Sequence, residues 1–181
     1  MILKRLKINT HIVEPTNCYI FADEDSKEAM IIDPAGETEK IIDMINILDV
    51  KVKYIYLTHC HADHVSGVKE LQEKCGGKVL IHRNGAKNLE NEKINLSAIV
   101  SENNIILEPD SRVDDEDEIH IGGVKLKIIY TPGHTDDSTS VYCAQYKLLF
   151  SGDTMFNGTW GRTDLPTSNF IDIINSITDK L

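Results

Sequence analysis

The sequence predicts an α/β fold in which two β-sheets pack face to face and helices cover their outer sides. Short runs rich in β-branched residues recur along the chain, and segments between them carry apolar residues at helical spacing. With 181 residues and 41% hydrophobic content, the chain is long enough to bury one full core. We therefore expect one domain that spans residues 1–181.

The expected elements alternate between strands and helices. Strands are expected over about residues 2–8, 17–22, 28–33, 52–57, 78–82, 138–144 and 147–151, with a hairpin turning at Gly122-Gly123 before the last two. Helices are expected over residues 38–48, over 65–75 and around 170–177. Residues 84–108 break the pattern with Asn, Glu and Lys, and we expect a short helix and a surface excursion there.

Residues 58–64, Thr-His-Cys-His-Ala-Asp-His, are the most informative part of the sequence. Imidazole and carboxylate groups suit Zn²⁺, Fe²⁺ or Mn²⁺ better than an ion that prefers thiolates. His59 and His61 are two residues apart, so they share one side of the chain only if it is extended. We therefore expect a metal-binding loop after a strand. Asp63 and His64 should lie at the entrance of the next helix, where free backbone N–H groups favour a carboxylate.

Two later segments place a possible metal ligand after an apolar strand. His134 follows the run 128–130 and a Thr-Pro-Gly turn, and Asp153 follows the run 148–150 and Ser-Gly. A histidine or an aspartate after a turn is a weak signal alone. Together with the motif at 58–64, these residues predict a shared metal site at the ends of several strands.

The three motifs, His-x-His-x-Asp-His, Thr-Pro-Gly-His-Thr and Ser-Gly-Asp-Thr in this order, resemble those of the metallo-β-lactamase fold superfamily. The resemblance covers nearly the whole chain. It implies a four-layer αββα sandwich of two mixed β-sheets flanked by helices, without the family's final strand and helix segment. The sequence Gly-Arg-Thr-Asp-Leu-Pro at 161–166 resembles the glyoxalase II branch, which consists of hydroxyacylglutathione hydrolases, especially its short bacterial members.

The resemblance also implies a ligand set. It assigns His59, His61 and His134 to one metal, Asp63 and His64 to a second, and Asp153 to both. The expected cofactor is Zn²⁺, as one or two ions, with Fe²⁺ or Mn²⁺ as alternatives. The family uses a seventh ligand, a later histidine, whereas the last histidine here is His134. The second metal position is therefore expected to be weaker than the first.

The same resemblance implies roles for the residues near the metals. Asp63 and Asp153 would be the catalytic carboxylates, and a hydroxide held by metal would attack the carbonyl carbon of the substrate. Arg162 occupies the position at which the glyoxalase II branch holds a glutathione thioester with a basic residue. Trp160 lies beside it on the same loop and is a second candidate for binding substrate.

Three functions remain open at this point. The first is a dinuclear thioester hydrolase that acts on a small molecule. The second is a mononuclear iron persulfide dioxygenase using His59, His134 and Asp153, because those enzymes also carry Thr-His-Cys-His-Ala-Asp-His. The third is another metal-dependent hydrolase of the fold, acting on lactones or phosphodiesters, or a catalytically silent form.

Composition limits the partners and the compartment. The net charge of −10 repels phosphates at long range, so we expect neither nucleic acid nor an anionic membrane as a partner. The N-terminal residues lack the apolar stretch of a signal peptide, and no run approaches the ~20 apolar residues of a membrane span. The four cysteines show no pairwise metal spacing, which favours reduced thiols and a cytoplasmic protein. Cys60, between two inward-pointing histidines, should face away from the metals. The oligomeric state stays open.

Overall fold

The computed structural model describes residues 1–10, 14–100 and 105–181. Within these residues the strands form a six-stranded sheet, a four-stranded sheet and a two-stranded ribbon. The strands of the first sheet, in spatial order, are β1 (Ile2–Ile8), β2 (Thr16–Ala22), β3 (Glu28–Ile32), β4 (Lys51–Tyr56), β5 (Lys78–His82) and β6 (Ser111–Val113). The second sheet contains β7 (Glu118–Ile121), β8 (Val124–Tyr130), β9 (Thr139–Cys143) and β10 (Leu148–Phe150), and the ribbon contains β11 (Met155–Phe156) and β12 (Thr159–Trp160).

Six helices lie among the described residues, and the last continues into a π-helical turn, Ser176–Lys180. They are α1 (Thr38–Leu48), α2 (Ala62–Val65), α3 (Val68–Cys75), α4 (Arg83–Asn88), α5 (Ser97–Val100) and α6 (Phe170–Asn175). Among them, none combines the length and apolar character that crossing a lipid bilayer would require.

The two sheets differ in how their strands pair. In the first sheet β1, β2 and β3 are antiparallel, whereas β3 to β6 are parallel, which makes that sheet mixed as expected. The parallel connections from β3 to β4 and from β4 to β5 contain α1 and α3, because a parallel pair needs a long crossover. In the second sheet every described pair is antiparallel, since β7 to β10 follow one another without a crossover.

The apolar side chains form two cores, one on each face of the first sheet. Alternation along β2 divides its residues between them. Ile20 joins the cluster that packs under the helices, with Ile41 of α1 and Leu71 of α3. Phe21 joins the cluster between the sheets, with Ile128 of the second sheet. This arrangement confirms the sandwich of sheets with helices outside.

The helix expected over residues 65–75 is interrupted. Helix α2 ends at Val65, and α3 begins at Val68. At the break, the backbone N–H of Gly67 donates to the carbonyl oxygen of Pro34 at 2.8 Å. A Cβ atom at Gly67 would lie 2.7 Å from that oxygen, so only glycine allows this approach. The break therefore docks the turn after β3 against the helices that follow the metal-binding loop.

One buried hydrogen bond joins the two sheets directly. The hydroxyl of Tyr56, in β4, lies 2.8 Å from Oγ1 of Thr139, in β9. The hydroxyl of Thr139 itself donates to the carbonyl oxygen of Thr58 at 3.2 Å, so Tyr56 is the donor of the pair. Both side chains are fully buried.

We expect Tyr56→Phe to lower the free energy of unfolding by about 0.5–1.5 kcal/mol, because it removes this bond without leaving a buried donor unpaired. Urea denaturation of the metal-free protein would measure the change. Tyr54→Phe is the matched control, since the Tyr54 hydroxyl, on the same strand, makes no hydrogen bond with a described residue. Equal losses in the two variants would contradict the assignment.

Candidate metal centre

The loops that leave four strands meet at one end of the sandwich. Asp33 follows β3, residues 57–64 follow β4, His134 follows β8 and Asp153 follows β10. The imidazole rings in this region are close together. The ring centroid of His59 lies 4.7 Å from that of His61 and 5.0 Å from that of His134. Chain segments far apart in sequence are thus brought into one cluster by the strand ends.

Two sets of donor atoms in this cluster could hold a metal ion. The first consists of His59, His61 and His134, and the second of His59, His64 and Asp153. Within each set, the candidate ligand atoms all lie within 4.8 Å of one another. The carboxylate of Asp153 lies close to histidines of both sets, with Oδ1 3.3 Å from Nε2 of His64 and Oδ2 3.6 Å from Nε2 of His134. The four imidazoles are buried.

Hydrogen bonds outside the cluster determine which ring nitrogen of two histidines faces inward. The hydroxyl of Thr58 donates to Asp33, so it accepts from Nδ1–H of His59 at 3.1 Å. Nδ1–H of His134 donates to the carbonyl oxygen of Arg162 at 2.9 Å. In both rings Nε2 therefore carries a lone pair, and Nε2 of His59 has no hydrogen-bond partner among the described residues. An inward-facing lone pair on a buried imidazole is a metal donor.

His61 adds a third neutral imidazole. Its Nδ1 lies 3.0 Å from Nε2 of His134. Burial lowers the pKa of His59 well below its ordinary value, and it lowers the pKa of His61 to about 3. For both rings the neighbouring histidines are the second cause, because a positive charge on one ring disfavours a charge on the next. Both rings are therefore neutral at physiological pH, which is the form that binds metal.

His64 lies between two carboxylates. Its Nδ1 is 2.9 Å from Oδ2 of Asp33, and its Nε2 faces Asp153. Burial opposes a charge on this ring, but Asp153 and Asp33 outweigh it and raise the pKa of His64 well above its ordinary value. Burial likewise opposes ionisation of Asp153, and the neighbouring histidines, His64 first, hold its pKa at about 2. The space between His64 and Asp153 thus favours a positive charge.

The residues present therefore fit one or two divalent ions. Buried lone pairs converge, two imidazole nitrogens (Nε2 of His59 and Nε2 of His61) have no hydrogen-bond partner among the described residues, and an ionised carboxylate lies beside them. Imidazole and carboxylate together suit Zn²⁺, Fe²⁺ or Mn²⁺. Asp63 lies at the margin of this arrangement. Its Oδ2 is 4.0 Å from Nε2 of His64, and its side chain is 21% exposed, outside both donor sets.

Asp33 is the residue of the site that sequence reasoning missed. It adopts a left-handed backbone conformation, with φ of 52°, directly after β3. Its buried carboxylate accepts from the backbone N–H and the hydroxyl of Thr58, each at 2.8 Å, and from Nδ1–H of His64. The Asp-Pro-Ala-Gly turn was visible in the sequence, but nothing there linked it to two loop residues 25 and 31 positions away.

Most residues of the metal centre line a cleft of about 1140 Å³. His61, His64, His134, Asp63 and Asp153 all line it. Apolar side chains form much of the remaining wall: Leu96, Ile99, Leu149, Met155, Phe156 and Leu165. The cleft around the metal centre is therefore largely apolar, with the charged side chains of Arg5, Glu14 and Arg162 also in its wall.

Comparison with known proteins identifies the family. The family model described as the metallo-beta-lactamase superfamily matches residues 11–181. The chain belongs to the metallo-beta-lactamase superfamily. It is similar to the hydroxyacylglutathione hydrolase GloC of Haemophilus influenzae, with 35% identity over 91% of this chain and 78% of that protein. It is also similar to the probable metallo-hydrolase YqgX of Bacillus subtilis, with 34% identity over 91% of this chain and 78% of that protein.

Solved structures agree with this placement. The structure of the BLEG-1 B3 metallo-beta-lactamase matches with a TM-score of 0.90 and 30% identity, covering 99% of this chain and 85% of that one. The structure of ETHE1 from Myxococcus xanthus matches with a TM-score of 0.79 and 28% identity, covering 100% of this chain and 70% of that one. The protein is therefore a metallo-hydrolase of the superfamily, whose members bind divalent metals, and it has their αββα fold.

The two residues predicted to bind substrate in this superfamily member lie in different surroundings. Arg162 lines the cleft, and its guanidinium group makes two bonds, of 2.7 and 2.8 Å, to the carboxylate of Asp164. Trp160 is not among the residues that line the cleft. Its indole is 44% exposed and lies 6.4 Å from the ring of Phe170, at the start of α6. The structure thus gives no support to Trp160 as a residue of the cleft wall.

Two other hydroxyl side chains lie close in sequence to the ligands but do not contact them. They belong to Ser151, two residues before Asp153, and to Thr135, directly after His134. The hydroxyl of Ser151 donates to the carbonyl oxygen of Met155, and the hydroxyl of Thr135 bonds to that of Ser138. Each of these hydrogen bonds closes a local turn. The thiol of Cys60 lies in the core. Burial, followed by the carboxylate of Asp137, raises its pKa well above the ordinary value.

We expect Thr58→Val to weaken metal binding by about ten- to a hundredfold, because it removes the hydroxyl that joins Asp33 to Nδ1 of His59. Thr58→Ser is the matched control, since it retains the hydroxyl. Competition with a chromogenic zinc chelator would measure the affinity, and circular dichroism would verify the fold of both variants. Equal affinities in Thr58→Val and Thr58→Ser would refute this role of Thr58.

Proposed function

We propose that this metallo-hydrolase is a thioester hydrolase of the hydroxyacylglutathione hydrolase type. The observation that carries the proposal is the convergence of buried imidazole lone pairs and the Asp153 carboxylate in the wall of a largely apolar cleft. The similarity to GloC over 91% of the chain supports this chemistry over others of the superfamily. The expected partner is a small-molecule thioester.

Each residue of the centre has a distinct part in this function. His59, His61 and His134 would hold the first metal ion, with Asp153 as a further donor. His64, Asp63 and Asp153 would hold a second. When bound, a divalent metal, Zn²⁺ or alternatively Fe²⁺ or Mn²⁺, supplies Lewis-acid chemistry: it lowers the pKa of water towards neutrality and polarises a carbonyl oxygen. Thr58 and Asp33 keep the imidazoles of His59 and His64 in the tautomers that face inward.

A thioester suits this cleft for two reasons. A thiolate leaves without a strong proton donor, because the pKa of a thiol is only about 8.5. The apolar wall near Leu149 and Met155 also reduces the access of bulk water to the reacting carbonyl, which strengthens the electrostatic interactions there. The carboxylate of Asp63, whose Oδ2 lies 4.0 Å from Nε2 of His64, would also orient the attacking water.

A second candidate is an iron-dependent persulfide dioxygenase. His59, His134 and Asp153 form a set of two histidines and one carboxylate, which is typical of non-haem iron sites with open positions. Hydrolases of lactones, phosphodiesters or β-lactams are further alternatives. The β-lactams belong in this group because the BLEG-1 enzyme is named as a metallo-beta-lactamase.

A substrate panel on metal-loaded protein would separate these functions. Samples loaded with Zn²⁺, Fe²⁺ or Mn²⁺ would be tested for thiol release from S-lactoylglutathione, for oxygen uptake with glutathione persulfide, and for hydrolysis of a lactone, a phosphodiester and a cephalosporin. We expect metal-dependent thiol release to dominate. Asp153→Asn should reduce it by several orders of magnitude, because the variant lacks the charge that balances the metal. Oxygen uptake without thiol release would instead establish the second candidate.

Arg162 is proposed to bind a carboxylate of the substrate. We expect Arg162→Ala to raise KM for S-lactoylglutathione roughly three- to tenfold with little change in kcat, because a remote group is bound equally in the ground and transition states. The variant keeps the backbone carbonyl that orients His134. Asp164→Asn is the counterpart, since it frees the guanidinium and should lower KM. A loss in kcat at constant KM would place Arg162 at the reacting centre instead.

A further inference from the structure

A row of residues crosses the first sheet from its edge to the metal centre. Arg5 of β1 pairs with Tyr19 of β2, and Tyr19 pairs with Ile32 of β3. Asp33, which binds Thr58 and His64, follows Ile32 directly. Neighbouring strands lie about 4.8 Å apart, so the backbone of Arg5 is on the order of 10 Å from that of Ile32.

Alternation along β1 directs Arg5 towards the cleft. Leu6 and Ile8 point into the core under the helices, so Arg5 points to the opposite face, on which the second sheet packs. The second sheet reaches β2, where the ring of Tyr19 meets that of Phe150 edge to face at 5.2 Å. It leaves the side chain of Arg5 exposed, and Arg5, Tyr19 and Phe150 all line the cleft.

The guanidinium group of Arg5 has free donors. It makes no ion pair and no hydrogen bond with any described residue, although Glu14 also lines this end of the cleft. The guanidinium group of Arg162, by contrast, donates two hydrogen bonds to the carboxylate of Asp164. The hydroxyl of Tyr19 likewise has no hydrogen-bond partner among the described residues, and burial raises its pKa although Arg5 opposes this. Arg5 and Tyr19 thus present donors on neighbouring strands that no described residue accepts from.

We propose that Arg5 and Tyr19 form an anion-binding subsite that holds a carboxylate or phosphate group of the substrate, at the edge of the first sheet and two strands away from the strand that leads to Asp33. This inference rests on the proposed thioester hydrolase function and specifies its substrate class. The substrate is an elongated thioester with an anionic end at Arg5 and a middle portion that lies over the rings of Tyr19 and Phe150. Neither a short neutral thioester nor a compact lactone would use the subsite.

The test compares anionic and neutral thioesters. Metal-loaded wild type, Arg5→Gln, Arg5→Lys and Tyr19→Phe would be assayed with S-lactoylglutathione, which carries carboxylates, with acetyl-coenzyme A, which carries phosphates, and with the acetyl thioester of N-acetylcysteamine, which is neutral. Lys7→Gln is the matched control. Lys7 lies two residues along β1 on the same side as Arg5, and it does not line the cleft, so this variant removes the same charge without touching the subsite.

We expect Arg5→Gln to raise KM for one anionic substrate about tenfold and to leave the neutral substrate within about twofold. Arg5→Lys should recover part of the loss, Tyr19→Phe should cost about two- to threefold, and Lys7→Gln should change neither substrate. The anionic substrate that responds shows whether the bound group is a carboxylate or a phosphate. An equal rise in KM for the neutral thioester, or no rise for either anionic one, would overturn the subsite.

Failure of the thioester function would be recognised separately. If the wild type hydrolyses no thioester, calorimetry with the non-hydrolysable S-hexylglutathione and with coenzyme A would test the subsite alone. Binding that weakens about tenfold in Arg5→Gln but not in Lys7→Gln would retain the subsite while removing the hydrolase proposal. Equal affinities in the wild type and Arg5→Gln, or no binding to the wild type, would overturn the subsite as well.

Discussion

The carboxylate of Asp33 is the contact through which the fold fixes the geometry of the metal centre. It is 2% exposed and accepts three hydrogen bonds, two from Thr58 and one from His64. A buried carboxylate is stable only when such donors surround it, so the loop after β4 is held in the one arrangement that supplies them. Through Thr58 the constraint extends to the tautomer of His59. One carboxylate therefore orients two of the candidate ligands, His64 directly and His59 through Thr58.

The backbone conformation at Asp33 and the turn after it also position this carboxylate. Asp33 adopts a left-handed conformation, which costs free energy for a residue with a side chain. The turn that follows is held by the hydrogen bond from Gly67 to Pro34, at the break between α2 and α3. The same break brings Ala62–Val65, and with it His64, against the turn that contains Asp33. The interruption of the helix is thus part of how the site is built.

These contacts show how far sequence reasoning could reach. The fold class, most strands and the cluster of His59, His61, His64, His134 and Asp153 could be predicted, because each depends on local periodicity or on ligand types close in sequence. The helix break could not, because it depends on Pro34 approaching Gly67 from another part of the chain. Trp160 lies near Phe170 and is not among the cleft-lining residues, and its adjacency to Arg162 in sequence carried no information about that position.

Arg5 could not be found from the sequence for a related reason. Its relation to the metal centre exists only through two successive strand pairings, β1 with β2 and β2 with β3, and a shift of one residue in either register would turn the side chain to the opposite face. One strand alone predicts only an exposed arginine at a sheet edge.

The two arginines of the cleft differ in what a bound anion must displace. Arg162 already makes two hydrogen bonds to Asp164, so an incoming carboxylate exchanges one ion pair for another and gains only the difference, which fits the modest effect on KM expected for Arg162→Ala. Arg5 is exposed and makes no ion pair with a described residue, so an anion there forms its bonds without breaking any within the described part of the protein. A protein with a net charge of −10 repels anions at long range, so capture depends on such free cations close to the site. The edge of the first sheet therefore adds, to the loop around Arg162, a second cation with which the cleft selects among anionic thioesters.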